Sequence, residues 1–392
     1  HPLQDPRRAQ GALELMWNLE RALGEVAGLP HVSLQPSAGS HGELAGVLLT
    51  RAYHEARGEH RTKVLTPDTA HGTNPATVTM AGYEVVKVGT NADGGVDIDD
   101  LRSKVDDQVA CLMLTNPNTL GVFDRNIEEI AALMHSVGAT LYYDGANLNA
   151  VMGKSRPGDM GFDIVHYNLH KSFTQPHGGG GPGSGPIAVS DRIEPFLPRP
   201  VITRTDTPEG PVFDLDEDRP QSIGKLRGFQ GNYGVFVRSY AYIRSLGAEG
   251  LRDASETAVL NANYLLARLR DLCGEDLPLA FGDRCMHEFV LSATPLKKET
   301  GVKTLDLAKR LLDHGYHPPT VYFPLLVDEA LLIEPTETET KETLDGFAEA
   351  LAAIVREAKE DPTRAQNAPY STPVRRLDEA GAAKRPVIRQ AL

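Results

Sequence analysis

Two residues of this sequence combine the types and placement that carbanion chemistry needs: an acid, Asp144, closing one apolar stretch, and an amine, Lys171, just beyond the next. Both lie in the block from Tyr143 to Pro186, YDGANLNAVMGKSRPGDMGFDIVHYNLHKSFTQPHGGGGPGSGP, where six glycines crowd between Gly178 and Gly185. Open α/β sheets place ligands beyond the carboxyl ends of their strands, so the two side chains can converge on one ligand although they are distant in sequence. A lysine amine forms a Schiff base with an aldehyde, and a carboxylate facing a pyridine nitrogen keeps that nitrogen protonated, so that the ring accepts electrons. Together they have the residue types expected of the protein's half of a pyridoxal 5'-phosphate (PLP) site. Taken singly, Lys171 reads as a solvated surface charge and Asp144 as a helix cap; the pairing in this block carries the reading.

A phosphate needs backbone amides at a helix N-terminus, and the turn Ser37-Ala38-Gly39-Ser40 supplies one before an apolar helical run. The bland reading of Ser40 is an N-cap, since Ser40-His41-Gly42-Glu43 fits a capping box. His71, in Ala70-His71-Gly72-Thr73-Asn74-Pro75 after an apolar strand, can stack on a pyridine ring or move protons. His170, beside Lys171, can contact phosphate or substrate, and a structural contact is the alternative. Gly178 to Gly183 formally matches G-x-G-x-x-G, but Pro182 and the strand-like Pro186 to Val189 follow where a helix should begin, so a dinucleotide fold is rejected in favour of a loop beside the lysine. No His, Cys and Asp set has metal-ligand spacing, and no metal is expected.

The elements that position these residues alternate. Short apolar strands at Lys63 to Thr66, Glu84 to Val88, Val109 to Thr115, Thr140 to Tyr143 and Asp163 to Tyr167 are separated by helical stretches such as Asn126 to Ser136, which argues for an α/β fold with a mostly parallel central sheet and helices on both faces. The run Cys111 to Leu114 has the composition of a strand buried on both faces. An amphipathic helix covers Leu13 to Leu23. The proline-rich stretch from Arg192 to Gln221 has no clear period and is expected to be irregular. Long helical patterns from Tyr233 to Leu272 lead to a smaller C-terminal α+β domain, with a boundary near Ala248: a large domain over 1–248 and a smaller one over 249–392, whose polar end after Asp361 drapes on something else.

Composition bounds the function. A chain of 392 residues exceeds what one core comfortably serves, and 41% hydrophobic with 24% charged residues is ordinary for a folded protein. A net charge of −13 without a basic run disfavours nucleic acid. Three scattered cysteines suggest a reducing, cytoplasmic setting, and no apolar run approaches the roughly 20 residues that span a bilayer. The chain opens on His1 directly into a helical pattern, so further residues upstream are expected.

The segments SLQPSAGSHGE, AHGTNPAT, TNPNTLGVF, YYDGANLNAVMG, NLHKSF, PHGGGGPGSGP and YFPLLVDEALLIEPTETETKETLD extend over nearly the whole chain. In them the sequence resembles the glycine dehydrogenase (decarboxylating) P-proteins of the glycine cleavage system, specifically subunit 2 of the two-subunit form; Ser172 departs from the threonine more usual after the family's lysine. The resemblance implies the PLP-dependent transferase fold (fold type I), with Lys171 bonded to the cofactor, Asp144 at the pyridine nitrogen, Ala146 against the ring face opposite His71, and Ala38, Gly39 and Ser40 around the phosphate. By position in their loop, Thr119 is implied as a cofactor contact and Asn118 as a substrate contact, with His170 serving both. The implied reaction is decarboxylation of glycine with transfer of the aminomethyl group to the lipoyl arm of H-protein, in an α2β2 heterotetramer with a separate subunit 1. Other PLP enzymes, such as aminotransferases, amino-acid decarboxylases or cysteine desulfurases, and a non-catalytic subunit are the competing classes.

Overall fold

A computed structural model describes residues 3–175 and 181–389. The described chain divides into two compact units, one of 1–260 with 285–287 and one of 261–284 with 288–392.

In the first unit, helix α1 (Gln10–Ala27) buries Leu13, Met16, Leu19 and Leu23 along one stripe and ends on Gly28 in the left-handed conformation. Then follow β1 (His31–Ser33), α2 (Gly39–Glu55), β2 (Lys63–Pro67), α3 (Thr73–Met80), β3 (Glu84–Val88), α4 (Ile98–Lys104), β4 (Val109–Leu114), α5 (Ile127–Ser136), β5 (Thr140–Gly145), β6 (Ile164–Tyr167), α6 (Leu169–Ser172) and β7 (Ile187–Val189). The strands form one sheet in the order β1-β7-β6-β5-β4-β2-β3. Pairing is parallel from β6 through β3, and only β7 runs against its neighbours. This is the mostly parallel sheet expected from the sequence. Its central strands β4, β5 and β6 are buried along their whole length, because helices cover both faces.

Alternation along β5 assigns its side chains to two cores. Tyr143 joins α1 and α5 in one, while Tyr142 joins α2 in the other. Helix α2 reaches the sheet closely through glycines one turn apart: a Cβ on Gly42 would lie 2.7 Å from the Gly185 carbonyl oxygen, and one on Gly46 2.4 Å from the Tyr142 ring. A larger residue at either place would lift the helix from the strands.

Two expectations need correction. The stretch from Arg192 to Gln221 is not irregular throughout: β8 (Val201–Thr207) and β9 (Gly210–Asp216) form an antiparallel hairpin. Its threonines, Val212 and Phe213 suit a pleated surface, and the hairpin packs on α1 through Trp17 and Phe213, ring centroids 6.0 Å apart, and through Gln10, whose amide group bonds both backbone groups of Phe213. Ser40 and Glu43 do not form a capping box. The N-cap of helix α2 is Ala38, two residues before Ser40, with no side chain capping the helix, which moves Glu43 too far along it to reach back.

The long helix α7 (Tyr233–Cys273) breaks at Gly247 (φ 65°, ψ −172°), next to the position where composition suggested a boundary, while the compact units divide after Leu260. In the second unit β10 (Phe289–Ser292), α8 (Thr294–Thr300), α9 (Thr304–Asp313), β11 (Thr320–Val321), β12 (Ala330–Ile333) and α10 (Lys341–Glu360) build an α+β layer whose antiparallel sheet has the order β10-β12-β11. The segment after Asp361 lies on this unit: Asp313 accepts the backbone N–H groups of Tyr370 (2.6 Å) and Ser371 (2.7 Å), and Arg376 pairs with Asp306 at 2.8 Å.

Candidate active site

The carboxyl ends of β5 and β6 gather the predicted site. In their register Asp144 stands beside His166, which directs both side chains to the face covered by α2. Asp144 is 2% exposed. Its Oδ2 accepts from the Asn74 amide at 2.9 Å, its Oδ1 accepts from the Ala146 N–H at 3.0 Å, and His166 Nε2 lies 3.4 Å from Oδ1. Burial works to raise the Asp144 carboxyl, but the His166 imidazole, the Asn74 and Ala146 donors and the Lys171 ammonium together outweigh it and hold the carboxyl below its ordinary value. The side chain is thus kept as an anion without water.

Lys171 sits on the single turn of α6 just past β6 and is exposed. Its charge acts on Asp144, His71, His166 and Glu43, which places it in the same electrostatic neighbourhood as the acid. His71 lies on the turn before α3, exposed, with Nδ1 at 2.8 Å from Thr73 Oγ1. Desolvation and the Lys171 charge push its imidazole below the usual value, while the Asp144 carboxylate offsets part of that shift. His170 Nδ1 accepts the Ser184 N–H at 3.2 Å, and a Cβ on Gly183 would come within 2.9 Å of that nitrogen, so the histidine fixes the chain that enters β7. Of the predicted glycine loop, Gly178 to Gly183, residues 178–180 lie outside the described residues. After it Ile187–Val189 is a strand, as the rejection of a dinucleotide motif required.

The first turn of α2 carries Gly39 and Ser40 after the extended Ala38, with no side chain satisfying its amides. Gly39 is held against Asn168, whose Oδ1 would be 2.2 Å from an added Cβ and is buried without a hydrogen-bond partner. Uncapped amides at a helix start and a position closed to any side chain are what a phosphate's seat requires. An ionised acid for a ring nitrogen, an amine for an aldehyde and this turn for a phosphate make the residues present a fit for PLP.

Thr119 and Asn118 are arranged differently. The Thr119 hydroxyl donates to the Thr69 carbonyl at 2.6 Å, tying the loop after β4 to the turn after β2. Asn118 gives its amide N–H to the Gly94 carbonyl at 2.7 Å and accepts from the N–H of Leu120 (3.0 Å) and Val122 (3.3 Å). Its polar atoms hold its own loop, which leaves it a weaker contact for substrate than its position suggested.

Two buried groups were missed by sequence reasoning. Glu43, 4% exposed on α2, accepts from Thr73 Oγ1 at 2.8 Å and from Thr77 Oγ1 at 3.3 Å. Polar atoms of Glu43, Asp144 and His166 all lie within 4.8 Å of one another. Burial, then the Asp144 charge, raise the Glu43 carboxyl to about 7, against the pull of Thr73, Thr77 and Lys171. His166, buried and bonded through Nδ1 to the Tyr142 hydroxyl at 2.5 Å, is pushed below its ordinary value chiefly by burial. The available signal was the spacing of Gly42 and Gly46, which marks the α2 face that meets the sheet and puts Glu43 at its edge.

A mostly parallel sheet with an acid at the end of one central strand, an amine past the next and an uncapped helix opposite defines a fold type I enzyme scaffold. In agreement, residues 42–180 match the aminotransferase class-V family model and residues 254–373 match the model of the glycine dehydrogenase C-terminal domain. Over 390 residues the chain is 56% identical to the probable glycine dehydrogenase (decarboxylating) subunit 2 of Bacillus cytotoxicus and 58% identical to that of Lysinibacillus sphaericus, covering 99% of this chain and 78% of each relative. With the protein of the same name from Prosthecochloris aestuarii it shares 57% over 385 residues, 98% of this chain and 78% of that one. The chain belongs to the glycine dehydrogenase (decarboxylating) subunit 2 family. Its fold matches a crystal structure of the glycine decarboxylase (P-protein) of the glycine cleavage system in inhibitor-bound form, with TM-score 0.76, 22% identity and coverage of 90% of this chain and 78% of that one. It also matches the Burkholderia pseudomallei sphingosine-1-phosphate lyase, with TM-score 0.61, 18% identity and coverage of 91% and 77%.

Proposed function

We propose that this protein is the PLP-binding subunit of a glycine decarboxylase, releasing CO2 from glycine and passing the aminomethyl group to the lipoyl arm of H-protein. The observation that carries the reading is the buried Asp144 carboxylate, held ionised by His166, Asn74 and Ala146 in reach of the Lys171 charge. Family membership supplies the substrate, and the site supplies residues able to handle it.

Bound here, the cofactor supplies an electron sink for the negative charge left on carbon when CO2 departs. Lys171 Nζ would be the amine that attaches it, and Asp144 would keep a proton on the ring nitrogen, as an anion with both oxygens already oriented can do without reorganising. The amides of the Ala38-Gly39-Ser40 turn would hold the phosphate, and His71 and Ala146 would lie beside the ring. Thr119 and His170 keep the surrounding loops in place, with His170 also at hand for the substrate; Asn118 contributes through its loop. Glycine offers little beyond its amine and carboxylate, so the geometry around Lys171 decides which bond of its α-carbon is aligned for cleavage.

Assembly with a subunit 1 as an α2β2 heterotetramer and docking of lipoylated H-protein complete the proposal. The family's "subunit 2" designation supports the first, and the need for an acceptor of the aminomethyl group supports the second. A cytoplasmic location fits three buried free cysteines, and no helix among the described residues is long and apolar enough to cross a membrane. The test is release of labelled CO2 from carboxyl-labelled glycine by the protein loaded with PLP, with subunit 1 and lipoylated H-protein present. Release that requires all components is expected; release unaffected by omitting H-protein, or none from the complete mixture, contradicts the proposal.

A further inference from the structure

Thr73 links two groups that the reaction places in different roles. Its hydroxyl oxygen lies 2.8 Å from Glu43 Oε1 and 2.8 Å from His71 Nδ1, while its backbone N–H donates to the same Nδ1 at 3.2 Å. A ring nitrogen that accepts a backbone N–H carries no proton, so the proton of the neutral His71 ring is on Nε2. An ionised Glu43 then leaves the Thr73 hydroxyl with one proton between two acceptors. A protonated Glu43 resolves this: its O–H donates to Thr73 Oγ1, the Thr73 O–H donates to His71 Nδ1, and Thr77 Oγ1 still donates to the other Glu43 oxygen at 3.3 Å.

We propose that Glu43 is a positioning residue that acts as a neutral acid, fixing Thr73 and through it the Nε2–H tautomer and orientation of His71 against the cofactor. The inference rests on the PLP reading of the site, and it assigns a role to a residue that does not itself touch the reacting atoms.

The surroundings support it. Around Glu43 stand Asp144 on β5, His166 on β6, the Tyr142 hydroxyl, Lys171 past β6, and Thr73 and Thr77 on α3. Asp144 has His166 at 3.4 Å as well as the Asn74 and Ala146 donors to favour its anion, whereas Glu43 has hydroxyls alone, so of two carboxyls this close Glu43 is the one that keeps the proton. Its value, raised to about 7, means that the proton is lost as pH rises through about 7.

Glu43→Gln imitates the neutral acid, with an N–H for Thr73 and a carbonyl for Thr77; Glu43→Ala removes both ties. In the full chain, PLP titrations across about pH 7 should show wild-type affinity falling as pH rises through that range. Glu43→Gln should bind within about threefold of the wild-type low-pH value and show no such fall, and Glu43→Ala should bind at least about tenfold more weakly at every pH. In the cofactor-free protein, infrared difference spectra should contain the carbonyl band of a protonated carboxyl that titrates near 7 and is missing in Glu43→Gln. Glutamine binding as weakly as alanine, a persisting pH midpoint in Glu43→Gln, or no such band in the wild type would each overturn the inference. Failure of PLP to bind the wild type at any pH would instead defeat the functional reading, with the infrared titration still deciding the state of Glu43.

Discussion

At the scale of single residues, the site sets two carboxyls in one pocket apart. Asp144 is held low against its burial by His166, the Asn74 amide, the Ala146 N–H and Lys171; Glu43 is raised to about 7 by burial and the Asp144 charge, although the Thr73 and Thr77 hydroxyls and Lys171 pull the other way. Replacing Asp144 by Asn leaves the ring nitrogen without an anion, and CO2 release from glycine should fall by about 100-fold or more while the protein stays folded by circular dichroism. Glu43 has a consequence for stability as well. Because its folded value lies above the ordinary 4.5, its contribution is fully present below about 4.5 and is lost as pH rises toward about 7, the unfolded chain ionising first. Glu43→Gln should therefore gain stability relative to wild type across that window and hold a constant advantage above it, roughly 3 kcal/mol, read from urea midpoints of the cofactor-free protein. An advantage that shrinks with rising pH would contradict the assignment.

At the scale of elements, the sequence made the scaffold legible where a pattern has one physical meaning. The fully apolar run Cys111 to Leu114 can only be a strand covered on both sides, and Asp144 directly after Leu141 to Tyr143 falls at a carboxyl edge for the same reason. Glu43 was not legible, because Ser40 and Glu43 have the spacing of a capping box whether or not the helix starts between them. The helix starts at Gly39, a position where Asn168 leaves no room for a side chain, and neither fact has a local signature in the sequence. The hairpin β8–β9 was hidden by prolines at its margins, since its stability comes from packing on α1, a contact without a local signature. Close packing of α2 gives a direct test: Gly46→Ala puts a methyl 2.4 Å from the Tyr142 ring and should destabilise by roughly 1–3 kcal/mol, seen as a lower unfolding temperature. In the second unit, Asp313→Ala strips the partner from two backbone N–H groups and leaves Arg310 with Glu357 alone, and should expose the segment after Ala368 to proteolysis without changing PLP absorbance.

At the scale of the whole molecule, identities of 56–58% over nearly the full chain fix the family, and the fold likeness to a glycine decarboxylase at 22% identity shows how far the scaffold outlasts the sequence. Everything proposed about chemistry returns to one covalent attachment. The most direct test is borohydride reduction of the PLP-loaded protein followed by peptide mapping. Pyridoxyl label on Lys171, with none on the Lys171→Ala variant, is the predicted result; label on any other lysine, or no incorporation into the wild type, would contradict the account.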